Sequence, residues 1–222
     1  MRNLPGNTSA CHPTPHKKNC YAFGATIMIT NSILLLCSYC IGSIPTGLLL
    51  AKAFGGVDIR TQGSGNIGAT NVYRTLGRKI GILTLIGDCL KGLLPVVAAQ
   101  ALQLQAEWIA LIGLAAFLGH VFPVFLRFKG GKGVATALGV FLATSPLAVL
   151  GALGAFIIVV MLWKYVSLAS ITAAAVMPLF TILIYGTPTF VAMSVVISII
   201  VILKHHENIR RLRSGTENKF KA

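Results

Sequence analysis

The sequence predicts an all-α polytopic membrane protein. It would have seven transmembrane helices, one of them short, with the N-terminus outside and the C-terminus cytoplasmic. Three observations carry that expectation. Of 222 residues, 55% are hydrophobic and 11% charged, and the mean hydropathy is +0.79. The apolar residues fall in continuous runs of bilayer length, not in alternation, so helices fit and barrel strands do not. The positive charge, a net +14 from 19 Lys and Arg against 5 Asp and Glu, is sorted by loop. A soluble nucleic-acid binder of that charge would carry far more charged surface. Disordered, collagen-like and small disulfide-scaffold classes are excluded by the same composition.

Residues 1–28 are rich in Pro, Asn and Thr, without periodicity, and read as a disordered extension. No small-residue cleavage site follows a short apolar core there, so the stretch is not a signal peptide. One reading is that the natural chain begins at Met28. Spans follow near 29–53, 79–100, 107–125, 146–164, 166–185 and 188–204, with a shorter apolar stretch at 134–144. Eleven residues reach only about 16 Å as a helix, so the short stretch needs the glycine-rich loop before it to bridge the gap. A re-entrant hairpin is the alternative. The membrane domain is thus 29–204, with cytoplasmic loops at 55–78 and 126–133, and 205–222 forms a cytoplasmic C-terminal motif and tail.

The basic residues orient these spans. Lys52, Arg60, Arg74, Arg78 and Lys79 lie between the first two; Arg127, Lys129 and Lys132 lie at 126–133; Lys164 marks a turn. Lys204, Arg210, Arg211, Arg213, Lys219 and Lys221 end the chain, whereas connections 101–106, 144–145 and 185–188 carry no Lys or Arg. Fifteen of nineteen basic residues therefore share one face, which the positive-inside rule makes cytoplasmic. The five cysteines, Cys11, Cys20, Cys37, Cys40 and Cys89, form no disulfide framework, and no His/Cys or carboxylate cluster suggests a metal.

Polar, glycine-rich sequence concentrates in three segments of that face. The first, 62–74, holds Gly63, Ser64, Gly65, Asn66, Gly68, Asn71 and Arg74. Its G-x-G-x-x-G lies between membrane helices, which excludes a dinucleotide fold but leaves glycines able to turn N–H groups toward an anion. The second is Lys129-Gly130-Gly131-Lys132-Gly133, which fails the Walker spacing yet opens onto a helix N-terminus that favours phosphate. The third joins Lys204, His205, His206, Glu207 and Asn208, a proton acceptor with orienting groups at a membrane boundary. Asp88 and Lys91 stand three apart inside the second span and read as a structural pair, with Lys91 lining a substrate path as the alternative.

In this order and placement the segments resemble the bacterial acyl-phosphate:glycerol-3-phosphate acyltransferases, the PlsY family. The resemblance runs from about residue 30 to 221. It includes Gly42-Ser43-Ile44-Pro45-Thr46-Gly47, Gly87-Asp88, Lys91-Gly92, Gly119-His120-x-Phe122-Pro123, the Lys129–Gly133 loop, His205-x-Glu207-Asn208-Ile209 and Gly215-Thr216-Glu217. It implies a seven-helix enzyme of the bacterial inner membrane whose site faces the cytoplasm. Acyl phosphate and glycerol 3-phosphate are its implied substrates, without cofactor or metal. Lysophosphatidic acid and phosphate would be the products, and a soluble acyl-phosphate-producing enzyme is a candidate partner. By the same resemblance Ser64, Arg74, Lys132, His205 and Asn208 carry the chemistry. Asn66, Asn71, Lys129, Gly131, Gly133 and Glu207 would bind substrate. Two proton acceptors stay open: His205, oriented by Glu207 or Asn208, and a substrate phosphate oxygen. Ser64 as a covalent nucleophile ranks lower, because no base adjoins it in sequence. A transporter for phosphate esters and a lipid-binding adaptor are the competing classes. Polar residues gathered at one face, and the glycine spacing, argue against them.

Overall fold

The structure, a computed structural model, describes residues 15–220, with side chains from residue 28 onward. Among the described residues all regular structure is helical. The chain divides into two compact units, Met1–Ile33 and Leu34–Ala222. In the first, helix α1 (Pro15–Gly42) opens on a proline, whose missing N–H costs nothing in a first turn. The extension expected to be irregular over 1–28 is thus helical from Pro15. Residues 1–14 lie outside the described residues.

In the second unit α1 stops at Gly42 and α2 (Thr46–Gly55) starts after a break. The sequence reading has one continuous span over 29–53. Pro45 interrupts it, because it lacks an N–H and pushes Ile44 out of helical geometry. The chain continues through α3 (Ala69–Leu76), α4 (Arg78–Ala101), α5 (Ala106–Val121), α6 (Val134–Thr144), α7 (Pro146–Trp163), α8 (Val166–Ile184), α9 (Pro188–Lys204) and α10 (His206–Arg213). Five segments are long and apolar enough to cross a membrane. A sixth is α9 with α10, which bends by 54° at its break; α6 is a shorter apolar helix. Met161 and Leu183, 74% and 70% exposed, show how apolar the outer surface is. Such surface belongs against lipid, where helices satisfy their own backbone.

The short α6 is explained by where it begins. Gly92, in the middle of α4, packs directly on the Thr136 carbonyl, so α6 starts alongside mid-α4. At its other end Gln100 Nε2 donates to the Ala143 carbonyl at 2.9 Å, level with the end of α4. The loop before α6 therefore supplies the missing length by lying recessed among helices. Around α6 the main core packs Val96, Ile112, Phe117, Val140 and Ile197. A smaller core of Leu48, Ala51, Ile59, Ile67 and Val72 supports the first glycine-rich loop.

Candidate active site

The first loop is organised by Asn71, which α3 presents inward. Its Oδ1 accepts the Ser64 N–H at 2.9 Å, and its Nδ2 donates to the carbonyls of Ile59, Gln62 and Asn66 at 3.3, 3.0 and 2.9 Å. Asn66 Oδ1 in turn accepts the Gly68 N–H at 2.8 Å. The Asn71 amide and the Asn66 Oδ1 are thereby engaged with the loop's own backbone. They hold Ser64, which is exposed, in place. Arg60 is bound to Asp58 through contacts of 2.6 to 3.2 Å, and its hydrogen bonds hold that carboxyl down at about 2. Arg74 remains exposed, and its Nη2 donates to the Asn218 carbonyl at 3.3 Å.

In the second loop Gly133 adopts φ +82° against the Phe117 ring, a conformation and a space that favour glycine. The turn carries the Lys132 ammonium to Asn208 Oδ1, 2.5 Å away. Burial pushes Lys132 down, and Arg211 pushes the same way. Glu217 and Glu207 pull the other way without overcoming burial. Lys129, by contrast, is exposed.

The third segment supplies the partner. Asn208 is buried and spans Lys132 and Glu217, donating from Nδ2 to Glu217 Oε1 at 2.8 Å. Glu217 also accepts from Ser167 Oγ at 2.8 Å and from Arg211 Nε at 2.7 Å. Burial alone would raise its carboxyl, but the hydrogen bonds from Asn208, Arg211 and Ser167 outweigh it and hold it below the usual range. Gly215, at φ +71°, lets the tail reverse to bring Glu217 inward. Phe220 N–H closes the tail onto the Lys164 carbonyl at 2.6 Å. His205 is not oriented by Glu207 or Asn208, as the sequence suggests. Its Nδ1 bonds the Val201 carbonyl at 2.7 Å. Glu207 is exposed and faces Arg211 at 4.0 Å. The reason is helical phase: after the bend α10 turns residue 207 outward and 208 inward.

The structure thus joins Lys132 to Asn208, and Arg74 to the same C-terminal tail. Sequence reading assigned no role to Arg211, Glu217 and Ser167. Glu217 stood within a quoted motif, but its distance in sequence from Asn208 hid the contact. Val134 and Ala135, which open α6 just after the glycine loop, line an apolar cavity of about 260 Å³. Its lining runs from Val134 and Val201 past Leu138 and Ala173 to Phe141 and Met177.

An all-helical, multi-span scaffold with a half-buried lysine on a glycine loop, and an apolar cavity lined by the helix that follows, defines a polytopic membrane protein. A family model described as Glycerol-3-phosphate acyltransferase matches residues 32–215. Curated relatives named glycerol-3-phosphate acyltransferase include one from Geotalea daltonii, 66% identical, covering 87% of this chain and 100% of that protein. Another, from Geobacter sulfurreducens, is 65% identical over 88% of this chain and 100% of its own. The crystal structure of PlsY (YgiH), an integral membrane glycerol 3-phosphate acyltransferase in its glycerol 3-phosphate form, superposes with TM-score 0.82. It is 43% identical, covering 86% of this chain and 96% of that one. Its lysophosphatidic acid form gives 0.80 at 42% identity. The chain belongs to the glycerol-3-phosphate acyltransferase family.

Proposed function

We propose that this protein transfers a fatty acyl group from acyl phosphate to the 1-hydroxyl of glycerol 3-phosphate, at the cytoplasmic face of a bacterial inner membrane. The observation that carries the reading is the position of Lys132. It joins the glycine loop to Asn208, and two residues further on Val134 begins the lining of the apolar cavity, so the loop that would hold phosphate leads into the helix that would border the acyl chain. A transporter would place its polar site at the midplane between repeats. An adaptor has no use for a cavity beneath its cations. Four contacts gather the basic segments at one end: Arg74 to Asn218, Lys132 to Asn208, Ser167 to Glu217 and Phe220 to Lys164. That supports seven crossings with α6 counted as one.

In the reaction the hydroxyl oxygen bonds the acyl carbon, the carbon–phosphate oxygen bond breaks, and the hydroxyl proton leaves. Lys132 and Arg74 offset the charge that grows on the carbonyl and the departing phosphate. Asn208, locked by Glu217, holds Lys132 in register. Ser64 and the loop amides orient the glycerol phosphate, so proximity does much of the work.

The proton acceptor follows from magnitudes. Burial pushes His205 down to about 4, against the weaker opposing pull of the Val201 carbonyl. A phosphate ester has its second pKa near about 6 and is the stronger base at neutral pH. In this reading a substrate phosphate oxygen takes the proton. With Nδ1 on the Val201 carbonyl, His205 stays neutral in this reading. The test supplies palmitoyl phosphate or palmitoyl-CoA to purified protein with glycerol 3-phosphate. The reading expects lysophosphatidic acid from the first donor alone, with no stable radiolabel on Ser64. Turnover with the thioester, or label retained on Ser64, would overturn it.

A further inference from the structure

Beneath the second loop lie three ionisable side chains that the proposed chemistry leaves unused. Asp88 and Lys91 on α4 and His120 on α5 are 2%, 6% and 3% exposed. Lys91 Nζ lies 2.9 Å from Asp88 Oδ1, off the line of a hydrogen bond, and donates to the Ile44 carbonyl at 2.8 Å. That carbonyl belongs to the helix break at Pro45, so Lys91 satisfies an acceptor released there. His120 Nδ1 stands 3.6 Å from the same Asp88 oxygen. Its other ring nitrogen, Nε2, faces Gly131 so closely that a methyl there would overlap the ring. The main chain adds a second tie: the Gly131 N–H donates to the His120 carbonyl at 3.2 Å. Gly130 is pressed against the carbonyls of His120 and Val121, again without room for a side chain.

A buried ion pair is weak evidence for stability, since apolar packing often serves as well. Ionisable groups at membrane depth usually serve a site. We infer that His120, steadied by Asp88 and Lys91, is a positioning residue: its ring sets the height of Gly131 and so aims Lys132 at the substrate phosphate. This rests on reading 129–133 as the phosphate loop. The chain of contact runs from the Ile44 carbonyl through Lys91, Asp88 and His120 to Gly131, one residue from the cation that would meet the ligand. The helix break and the loop, far apart in sequence, thereby share one support.

A double-mutant cycle on Gly131→Ala and His120→Ala reads the contact. It uses kcat and KM for glycerol 3-phosphate and, separately, calorimetric affinity for inorganic phosphate. Gly131→Ala alone should raise KM and weaken phosphate by roughly tenfold or more, because the methyl meets the ring. In the His120→Ala background the same change should cost less than about threefold, a coupling expected only of groups in contact. Effects that multiply would overturn the inference, as would a Gly131→Ala protein with unchanged KM and phosphate affinity. If His120→Ala does not remain folded, His120→Asn, whose shorter amide reaches toward Asp88 but not Gly131, replaces it in the cycle. A merely structural His120 would lower Tm and leave KM alone. Wild-type protein without turnover would refute the acyl-transfer reading instead, and the phosphate titration would still decide this one.

Discussion

At the residue scale the central cation of the proposed site is Lys132, held by Asn208. Lys132→Ala and Arg74→Ala should each cut turnover by about 100-fold or more while protein still accumulates, as loss of transition-state donors does. Near-normal turnover in either would contradict the assignment. Glu217→Gln keeps the shape but removes the charge that Arg211 and Asn208 engage. Breaking that network should cost about 1–3 kcal/mol of stability, seen as a lower Tm in detergent. The pH dependence has a definite sign. His205 in the folded protein lies below its ordinary 6.5, at about 4. Below 6.5 the unfolded chain therefore binds more protons, and stability falls as pH drops from there toward 4. His205→Gln should flatten that limb of a Tm–pH profile. The residue types of the site were legible in sequence, because glycine next to Lys or Arg at a helix start has few other uses. The division of labour was not. Asn66 and Asn71 read as ligands of substrate, yet Asn71 commits its whole amide, and Asn66 its Oδ1, to carbonyls and N–H groups that only the folded loop brings near.

At the element scale the spans could be read from hydropathy, and their breaks less well. Six runs and the short 134–144 stretch correspond to helices whose apolar faces meet lipid or core. The stop at Gly42 was written in Pro45, but a continuous apolar run masked it. The bend between α9 and α10 falls at His205, where the apolar run ends, and only its phase shows that Asn208, not Glu207, turns inward. The close approach of α4 and α6 depends on small residues: Gly92 rests on the Thr136 carbonyl and Gly139 on the Cys89 carbonyl. Gly139→Val should push the helices apart, at a cost of about 1–3 kcal/mol by overpacking. Since α6 follows the loop proposed to hold phosphate, Tm and turnover should fall together. A variant that loses neither would show that the helix contact does not set the site.

At the scale of the whole molecule the charge that first suggested a membrane protein separates into two parts. Most of it lies on one predicted face and sets topology. A smaller part, Arg74, Lys132 and Arg211, is drawn into one network by a tail that folds back from Gly215. A cysteine-labelling scan in vesicles should find residues 60–75 and 208–217 accessible from the same side. Opposite sides would make α6 a re-entrant hairpin and dissolve the shared site. The central claim is that charged loops and apolar cavity together join one acyl group to one glycerol phosphate. Its most direct test mixes the detergent-purified protein with palmitoyl phosphate and glycerol 3-phosphate and measures phosphate release beside lysophosphatidic acid. The account predicts equimolar release of both, dependent on both substrates and lost in Lys132→Ala. No turnover in detergent, with substrate uptake in sealed vesicles, would contradict it.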